Sequence, residues 1–389
     1  MQSVLIVINN LECGGIQKAL IEFLKVLVRN YDVSLRCFSQ TGMLLDQVPP
    51  EVEILESSQK LSILAESMQQ LKVKSSALYV KKAIWTMAAR IIGAPSAHFL
   101  YYTGMAEKKK YDIAISYTQD VSGYSFSVGC NDYVKQCVSA KKKLTFVHCD
   151  FKNYGGNDAL NRRRYKSFDS IVCVSNSCKK EFDRCCPEYR EKSVVLMNSI
   201  DKNEILKRAN EKPFCYDDNY INYITVARVS KEKGIIRALR VMKKATELRN
   251  KIRWYVVGAG PEMEEARHYI VENDLMDVVF LLGESENPYR FMLRADCLFV
   301  PSYHECAPVV FAEASTLHLP TLTTRTLSAV ELVENQNIGW VCDNTEEGIL
   351  QGLLKSTKEL MENGEKMFSF SGACCNTLQE FDSIIGGIR

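Results

Sequence analysis

No Cys-x-x-Cys pair occurs among the fifteen cysteines of this 389-residue chain, and their number is odd. A zinc ribbon is built on such pairs, and a disulfide framework needs an export signal to justify it. Free thiols in a reducing compartment are therefore expected. Long apolar runs are missing as well. The strongest, "VLIVI" and "CLFV", fall far short of the ~20 residues a spanning helix requires. The N-terminus lacks the basic start and apolar core of a secretory leader, so a cytoplasmic location is expected. Net charge is close to absent, at +2. A nucleic-acid binder is normally clearly basic, and none is expected here. The N-terminal strand leads into no Gly-x-Gly-x-x-Gly, which argues against a dinucleotide fingerprint at that place.

What is present is alternation. Short β-branched runs recur between longer stretches with one apolar and one charged face. The first series is "SVLIVI", "DVSLRCF", "VEIL", "DIAIS", "LTFVH", "IVCVS" and "SVVLM". The second is "NYITVA", "RWYVV", "VVFLL", "DCLFV", "PTLTT" and "GWVC". Strand and helix in alternation predict α/β domains with parallel sheets covered on both faces. A chain of this length exceeds what one core usually serves, so two domains are expected. The polar stretch "SIDKNEILKRANEKPFCYDDNY" separates the series and sets the boundary. The domains are read as 1–205 and 206–371, facing across a cleft, with a C-terminal helix at about 372–389 packing back on the first. In open α/β sheets ligands bind at the carboxyl ends of the strands.

The charge that exists is unevenly spread. Between Leu71 and Lys110 stand Lys72, Lys74, Lys81, Lys82, Arg90, Lys108, Lys109 and Lys110, with Glu107 the single acid. In "LKVKSSALYVKKAIWTMAARII" these cations interleave with large apolar residues. One reading is a basic amphipathic segment resting on an anionic membrane surface, which would make the protein peripheral on the inner face of the cell membrane. The other is a solvated surface helix with the same pattern.

The stretch "DCLFVPSYHECAPVVFAEA" carries the chemistry. A strand ends near Pro301, a loop follows, and a helix is predicted to start at Pro308, since proline suits a first helical position. The turn at Ala307, Pro308 and Val309, where the exposed amides of a helix's first turn stand with the dipole behind them, suits a diphosphate. Glu305 precedes the helix, and Glu313 lies about 7.5 Å further along it. Carboxylates accept hydrogen bonds from neighbouring sugar hydroxyls, so the spacing suits one for each sugar of a nucleotide sugar. Two surface acids drawn to a helix start would look the same. Further along the second series, "YITVARVSKEKGIIRALRVM" places Arg228 and Lys233 after a strand, where two cations could stabilise a departing diphosphate. "RWYVVGAGPEMEEARHYI" places Gly258 and Gly260 at another strand-to-helix turn, where glycine permits close approach of the backbone to a ligand.

In order and spacing, "ARVSKEKG", "GAGPEMEE" and "ECAPVVFAE" resemble the nucleotide-sugar domain of glycosyltransferase family 4 over about 110 residues. The resemblance implies a GT-B fold of two Rossmann-like domains and transfer with retention of anomeric configuration. It implies that Arg228 and Lys233 contact the donor diphosphate, that Glu313 holds the ribose and that Glu305 lies near the transferred sugar. It thins over the first half. There "NNLECGGIQKALIEFL" is similar to the family's glycine-rich loop, giving Gly15 to the diphosphate and Gly14 to the acceptor side. "TFVHCD" is similar to a segment whose histidine faces the donor sugar, giving His148 a catalytic place and Asp150 one on the acceptor side. Cys306 and Ser199 depart from the glycines usual at their positions.

No Asp-x-Asp occurs, so the carboxylate pair usual in metal-dependent sugar transfer is missing, and metal-independent transfer without a cofactor is expected. The implied activity is a hexosyl transfer from a nucleotide diphosphate sugar, a UDP-sugar above all. The acceptor is a glycan or a polyprenyl-diphosphate-linked oligosaccharide in bacterial capsule, exopolysaccharide or O-antigen synthesis. A nucleotide-sugar epimerase, a phosphorylase and a non-catalytic glycan- or transferase-binding protein remain alternatives at this point.

Overall fold

The computed structural model describes residues 1–12, 14–248, 251–364, 368–370 and 377–387. Each of the thirteen β-branched runs is a strand, and among the described residues they form two parallel sheets. The chain divides into two compact units, the first comprising Met1–Ser199 and the C-terminal helix, the second starting at Ile200.

In the first unit the strands are β1 (Gln2–Asn10), β2 (Tyr31–Ser39), β3 (Glu53–Leu55), β4 (Tyr111–Ser116), β5 (Ala140–Val147), β6 (Ser170–Cys173) and β7 (Ser193–Val195). Their order is β3-β2-β1-β4-β5-β6-β7. The helices are α1 (Gly15–Leu27), α2 (Gln59–Ala65), α3 (Met68–Lys74), α4 (Ser76–Ile92), α5 (Ala94–Tyr101), α6 (Cys130–Cys137), α7 (Ala159–Arg164) and α8 (Asn176–Cys185). Val4 to Ile8 of β1 are all fully buried, as a central strand covered on both faces requires.

The second unit carries β8 (Ile221–Val226), β9 (Ile252–Val257), β10 (Val279–Gly283), β11 (Cys297–Val300), β12 (Thr321–Thr324) and β13 (Gly339–Cys342), ordered β10-β9-β8-β11-β12-β13. Its helices are α9 (Lys202–Ala209), α10 (Ile235–Glu247), α11 (Met263–Glu272), α12 (Tyr289–Met292), α13 (Val309–Thr316) and α14 (Glu346–Asn363). Ile205 and Ala209 of α9 are buried with Leu298, Phe311 and Val333. That packing places the division at Ile200 rather than at 206. The C-terminal α15 (Thr377–Gly387) belongs to the first unit, where Phe381 meets Phe23 and Tyr31 edge-on at 5.4 and 5.6 Å. Residues 371–376 and 388–389, within the segments assigned from sequence, lie outside the described residues.

Every described cysteine is a free thiol. No described helix is long and apolar enough to cross a membrane. The basic stretch is not one uniform face. Lys82 is 5% exposed and donates to the Glu66 carbonyl, with its pKa brought down to about 8 by burial against the opposing pull of Glu66. Lys74 pairs with Glu66 at 2.8 Å. Lys82 therefore ties α4 to the turn before α3 and is not available to a surface.

Candidate active site

In the second sheet the chain runs outward from β8 through β9 to β10, then returns to lay β11 on the other side of β8. The loops leaving β8 and β11 therefore diverge at their carboxyl ends, which is where open α/β sheets form a ligand crevice. Those two loops carry Arg228, Lys233 and Glu305.

Lys233 and Glu305 meet. Lys233 Nζ lies 2.7 Å from Glu305 Oε1, and Ser302 Oγ donates to the same oxygen at 2.7 Å. The Glu305 side chain is only 9% exposed, so its charge is held by two donors and largely shielded from water. Arg228 stands apart from that pair. Its guanidinium is 63% exposed and bonds Glu232 at 2.9 Å.

The loop beneath Glu305 is fixed carbonyl by carbonyl. Arg237 of α10, itself buried, donates to Pro301 O from Nε and Nη2 at 3.0 and 2.7 Å. Its guanidinium lies 3.7 Å from the centroid of the Tyr303 ring. Thr324 donates to Ser302 O, and Asn344 donates to Tyr303 O at 2.9 Å. Gly234 opens α10 at φ +69°, and a Cβ there would stand 2.2 Å from Pro301 O. Only glycine allows that turn and that approach together.

Helix α13 begins at Val309, with Pro308 as an extended cap at φ −66° and ψ 123°. The proline thus precedes the helix instead of opening it, because the chain needs an extended residue to leave the loop. Among the described residues no side chain caps this start, and no acid lies in its first turn. Phe311 N bonds Pro308 O at 3.2 Å, and the two amides ahead of it face the dipole's positive end. Glu313 is 4% exposed, and Tyr289 of α12 donates to its Oε1 at 2.9 Å. Tyr289 therefore sets the orientation of that carboxylate.

Gly258 and Gly260 are held to glycine by the fold itself. A Cβ on Gly258, at φ +147°, would lie 1.9 Å from Ala227 O, and one on Gly260 2.2 Å from Val229 O. Ala227 N bonds Val257 O, and Val229 N bonds Ala259 O. The two glycines let the β9 loop lie flat against the β8 loop, and so place Arg228 between two bonded neighbours.

In the first unit the corresponding divergence falls between β1 and β4. Gly15 opens α1 there, and a Cβ on it would meet nothing within 4 Å among the described residues. A Cβ on Gly14 would meet the flexible tip of Gln17 at 2.5 Å. His148 follows β5. The residue is only partly covered, yet its Nε2 is sealed from solvent and has no partner among the described residues. The ring packs 4.9 Å from Tyr117 and 5.6 Å from Phe146. Burial pushes its pKa down to about 4, against a hydrogen bond to the Tyr117 backbone. At neutral pH it is an uncharged imidazole. Asp150 accepts from the amides of Lys152 and Asn153 and from Asn153 Nδ2, at 3.2, 3.3 and 2.8 Å, so both its oxygens are engaged within its own turn.

Among the described residues no group of three or more His, Cys, Asp or Glu is placed to hold a metal. Ser302, Tyr289 and Arg237 went unremarked in the sequence, as did Thr326 Oγ1 and Ser328 Oγ, two sealed hydroxyls beyond β12 without a partner among the described residues. Tyr289 and Arg237 reach partners 24 and 64 residues away in the chain, so no spacing rule marks them.

Two Rossmann-like units with parallel sheets define the GT-B architecture of sugar transferases. Anabaena HepE, solved in complex with UDP and glucose, superposes with a TM-score of 0.65 over 100% of this chain and 98% of its own, at 16% identity. At that identity the likeness is one of fold. Residues 207–369, within the second unit, match the family model described as glycosyl transferases group 1. An uncharacterised glycosyltransferase of Methanocaldococcus jannaschii is 25% identical over 165 residues, which is 41% of this chain and 40% of that protein. A putative colanic acid biosynthesis glycosyltransferase of Escherichia coli K12 is 27% identical over 183 residues, 45% of this chain and 44% of that protein. The chain thus spans less than half the length of these curated relatives.

Proposed function

We propose that this protein is a retaining glycosyltransferase. It would move a hexosyl group from a nucleotide diphosphate sugar, a UDP-sugar, to a glycan or a polyprenyl-diphosphate-linked oligosaccharide in bacterial surface-polysaccharide assembly. The observation that carries this reading is the cluster at the β8/β11 divergence. A shielded Glu305 is locked to Lys233 and Ser302 ahead of an uncapped helix start, with Glu313 buried and oriented further along that helix. The relatives' printed roles in surface polysaccharides and the UDP and glucose held by HepE support the same direction.

In this reading the amides of Ala307 and Val309, with Pro308 shaping the turn, receive the diphosphate together with Arg228, Lys233 and Gly15. Glu313 accepts from the ribose hydroxyls. Glu305 accepts from a hydroxyl of the transferred sugar, and His148 takes the catalytic place that the resemblance gives it. Gly14 and Asp150 lie on the acceptor side, and residues 71–110 rest on an anionic membrane. The bond from the anomeric carbon to the diphosphate breaks as the acceptor oxygen attacks the same face. The acceptor proton passes to the departing diphosphate, whose gathering charge Lys233 and Arg228 stabilise. Those cations replace a metal ion in this scheme. Transfer from labelled UDP-sugars, with and without EDTA, tests it. Activity should survive the chelator, and Glu305→Gln should lose roughly 100-fold or more in turnover, as for loss of one preorganised charge contact. A chelator-sensitive enzyme restored by magnesium or manganese, or a fully active Glu305→Gln, would sink the scheme.

A further inference from the structure

Helix α4 presents two opposite faces. One packs on the first unit: Ala89 is fully buried, and Trp85 meets Tyr101 edge-on at 5.1 Å and stacks on Phe126 at 5.8 Å. On the other, Val80, Ile84, Met87 and Ile91 are 52%, 62%, 65% and 76% exposed. At about 100° per residue these four fall within about 60° of one another, directly away from Trp85 and Ala89. Lys81 and Arg90, both exposed, stand about 90° to either side of that stripe. Val73 ahead of the helix and Phe99 and Leu100 beyond it are exposed too. With Ile92, eight of the 19 large apolar side chains exposed among the described residues fall between 73 and 100. An even spread would place far fewer there. From Ser67 to Ala106 the chain holds no Asp or Glu.

We propose that α4 docks flat on an anionic lipid surface, with Val80, Ile84, Met87 and Ile91 entering the acyl boundary and Lys81 and Arg90 reaching phosphate headgroups on either side. The inference extends the membrane contact proposed above and gives it a face, a depth and a charge requirement. An apolar stripe with cations along both flanks is the pattern of an interfacial helix. A second copy of this chain fits the same face poorly. A two-fold contact sets each patch against itself, and this patch has cations at its edges and no carboxylate to meet them. Lys82 takes no part, being held inside the fold by the Glu66 carbonyl.

The test is sedimentation of the full chain with phosphatidylcholine vesicles, with and without phosphatidylglycerol, in the absence of nucleotide. The pair Ile84→Gln/Met87→Gln removes apolar insertion, and Lys81→Gln/Arg90→Gln removes the flanking charge. All four side chains face solvent, so both variants should keep the parental melting temperature and UDP response. The wild type should pellet with the phosphatidylglycerol vesicles. Its partitioning should fall on the order of tenfold or more for either variant and for neutral vesicles. A wild type left in the supernatant, or variants that pellet equally well, would overturn the proposal. So would a dimer seen by light scattering that Ile84→Gln/Met87→Gln abolishes without any vesicle binding. Because the vesicle result is read without nucleotide, failure here leaves the transferase reading standing, and failure to bind UDP leaves this one standing.

Discussion

Gly258 in the second unit and Gly15 in the first both sit where a parallel strand hands over to a helix, and the molecule uses them in opposite ways. At Gly258 the space for a side chain is already filled, with a Cβ position 1.9 Å from the Ala227 carbonyl oxygen. At Gly15 a Cβ would meet nothing within 4 Å among the described residues. The second unit uses its glycines to press two loops together, and its polar chemistry is then mounted on that base by Lys233, Ser302 and Arg237. The first unit leaves its glycine turn open. A glycine's prominence in a motif therefore says nothing by itself about ligand contact. The neighbouring backbone decides.

Substitution should drive the two glycines further apart. Gly258→Ala forces a side chain into a carbonyl at a φ that other residues rarely adopt, and should cost the second unit about 3–5 kcal/mol. Urea unfolding followed through Trp254, buried in that unit, in a Trp85→Phe, Trp340→Phe background, would read it. A loss under 1 kcal/mol would show that the two loops are not packed as described.

The next largest effect concerns His148. Its folded pKa, about 4, lies below the unfolded value of about 6.5. Both states are neutral above pH 7, so no stability is lost there. As the pH falls below 6.5 the unfolded chain takes up a proton that the folded ring refuses. About 2.5 kcal/mol of the first unit's stability should disappear between pH 7.5 and 4.5. His148→Gln removes that share of the pH dependence. Parallel stability–pH curves for the two proteins would show that the ring is not sealed.

The smallest expected effect has the opposite sign. Gly15→Ala, in open space at the start of α1, should stabilise by about 0.5–1 kcal/mol through helix propensity. It should also lower transferase turnover if the backbone there approaches the diphosphate. A variant both more stable and fully active would return Gly15 to a plain helix start.

The strands were legible because a doubly covered parallel sheet writes itself as short β-branched runs. That Glu305 stands in a strand-end loop and Glu313 inside the helix after it was legible from the local pattern, whereas the roles given to them and to Lys233 came from the resemblance. What could not be read was set by strand order. The return of β11 beside β8 brings Lys233 onto Glu305, residues 72 apart in the chain. It also puts Arg237 under Pro301, and Tyr289 reaches Glu313 from a separate helix. Lys82 misleads for a related reason. In sequence it is one more cation of a basic stretch, and only the fold of α4 against the turn at Glu66 takes it out of solvent. Pro308 gave a helix start correct to one residue, with its extended ψ the detail that sequence does not carry.

The most direct measurement is a thermal-shift titration of UDP, with GDP and ADP for comparison, on the wild type and Glu313→Ala, each with and without EDTA. A ligand at a hundred times its dissociation constant adds about 2.7 kcal/mol to the stability of the protein that binds it. The expected result is stabilisation of the wild type by UDP, unchanged by EDTA and lost in Glu313→Ala relative to that variant's own unliganded melting. UDP that shifts neither protein, or shifts both equally, would contradict the donor site at the start of α13.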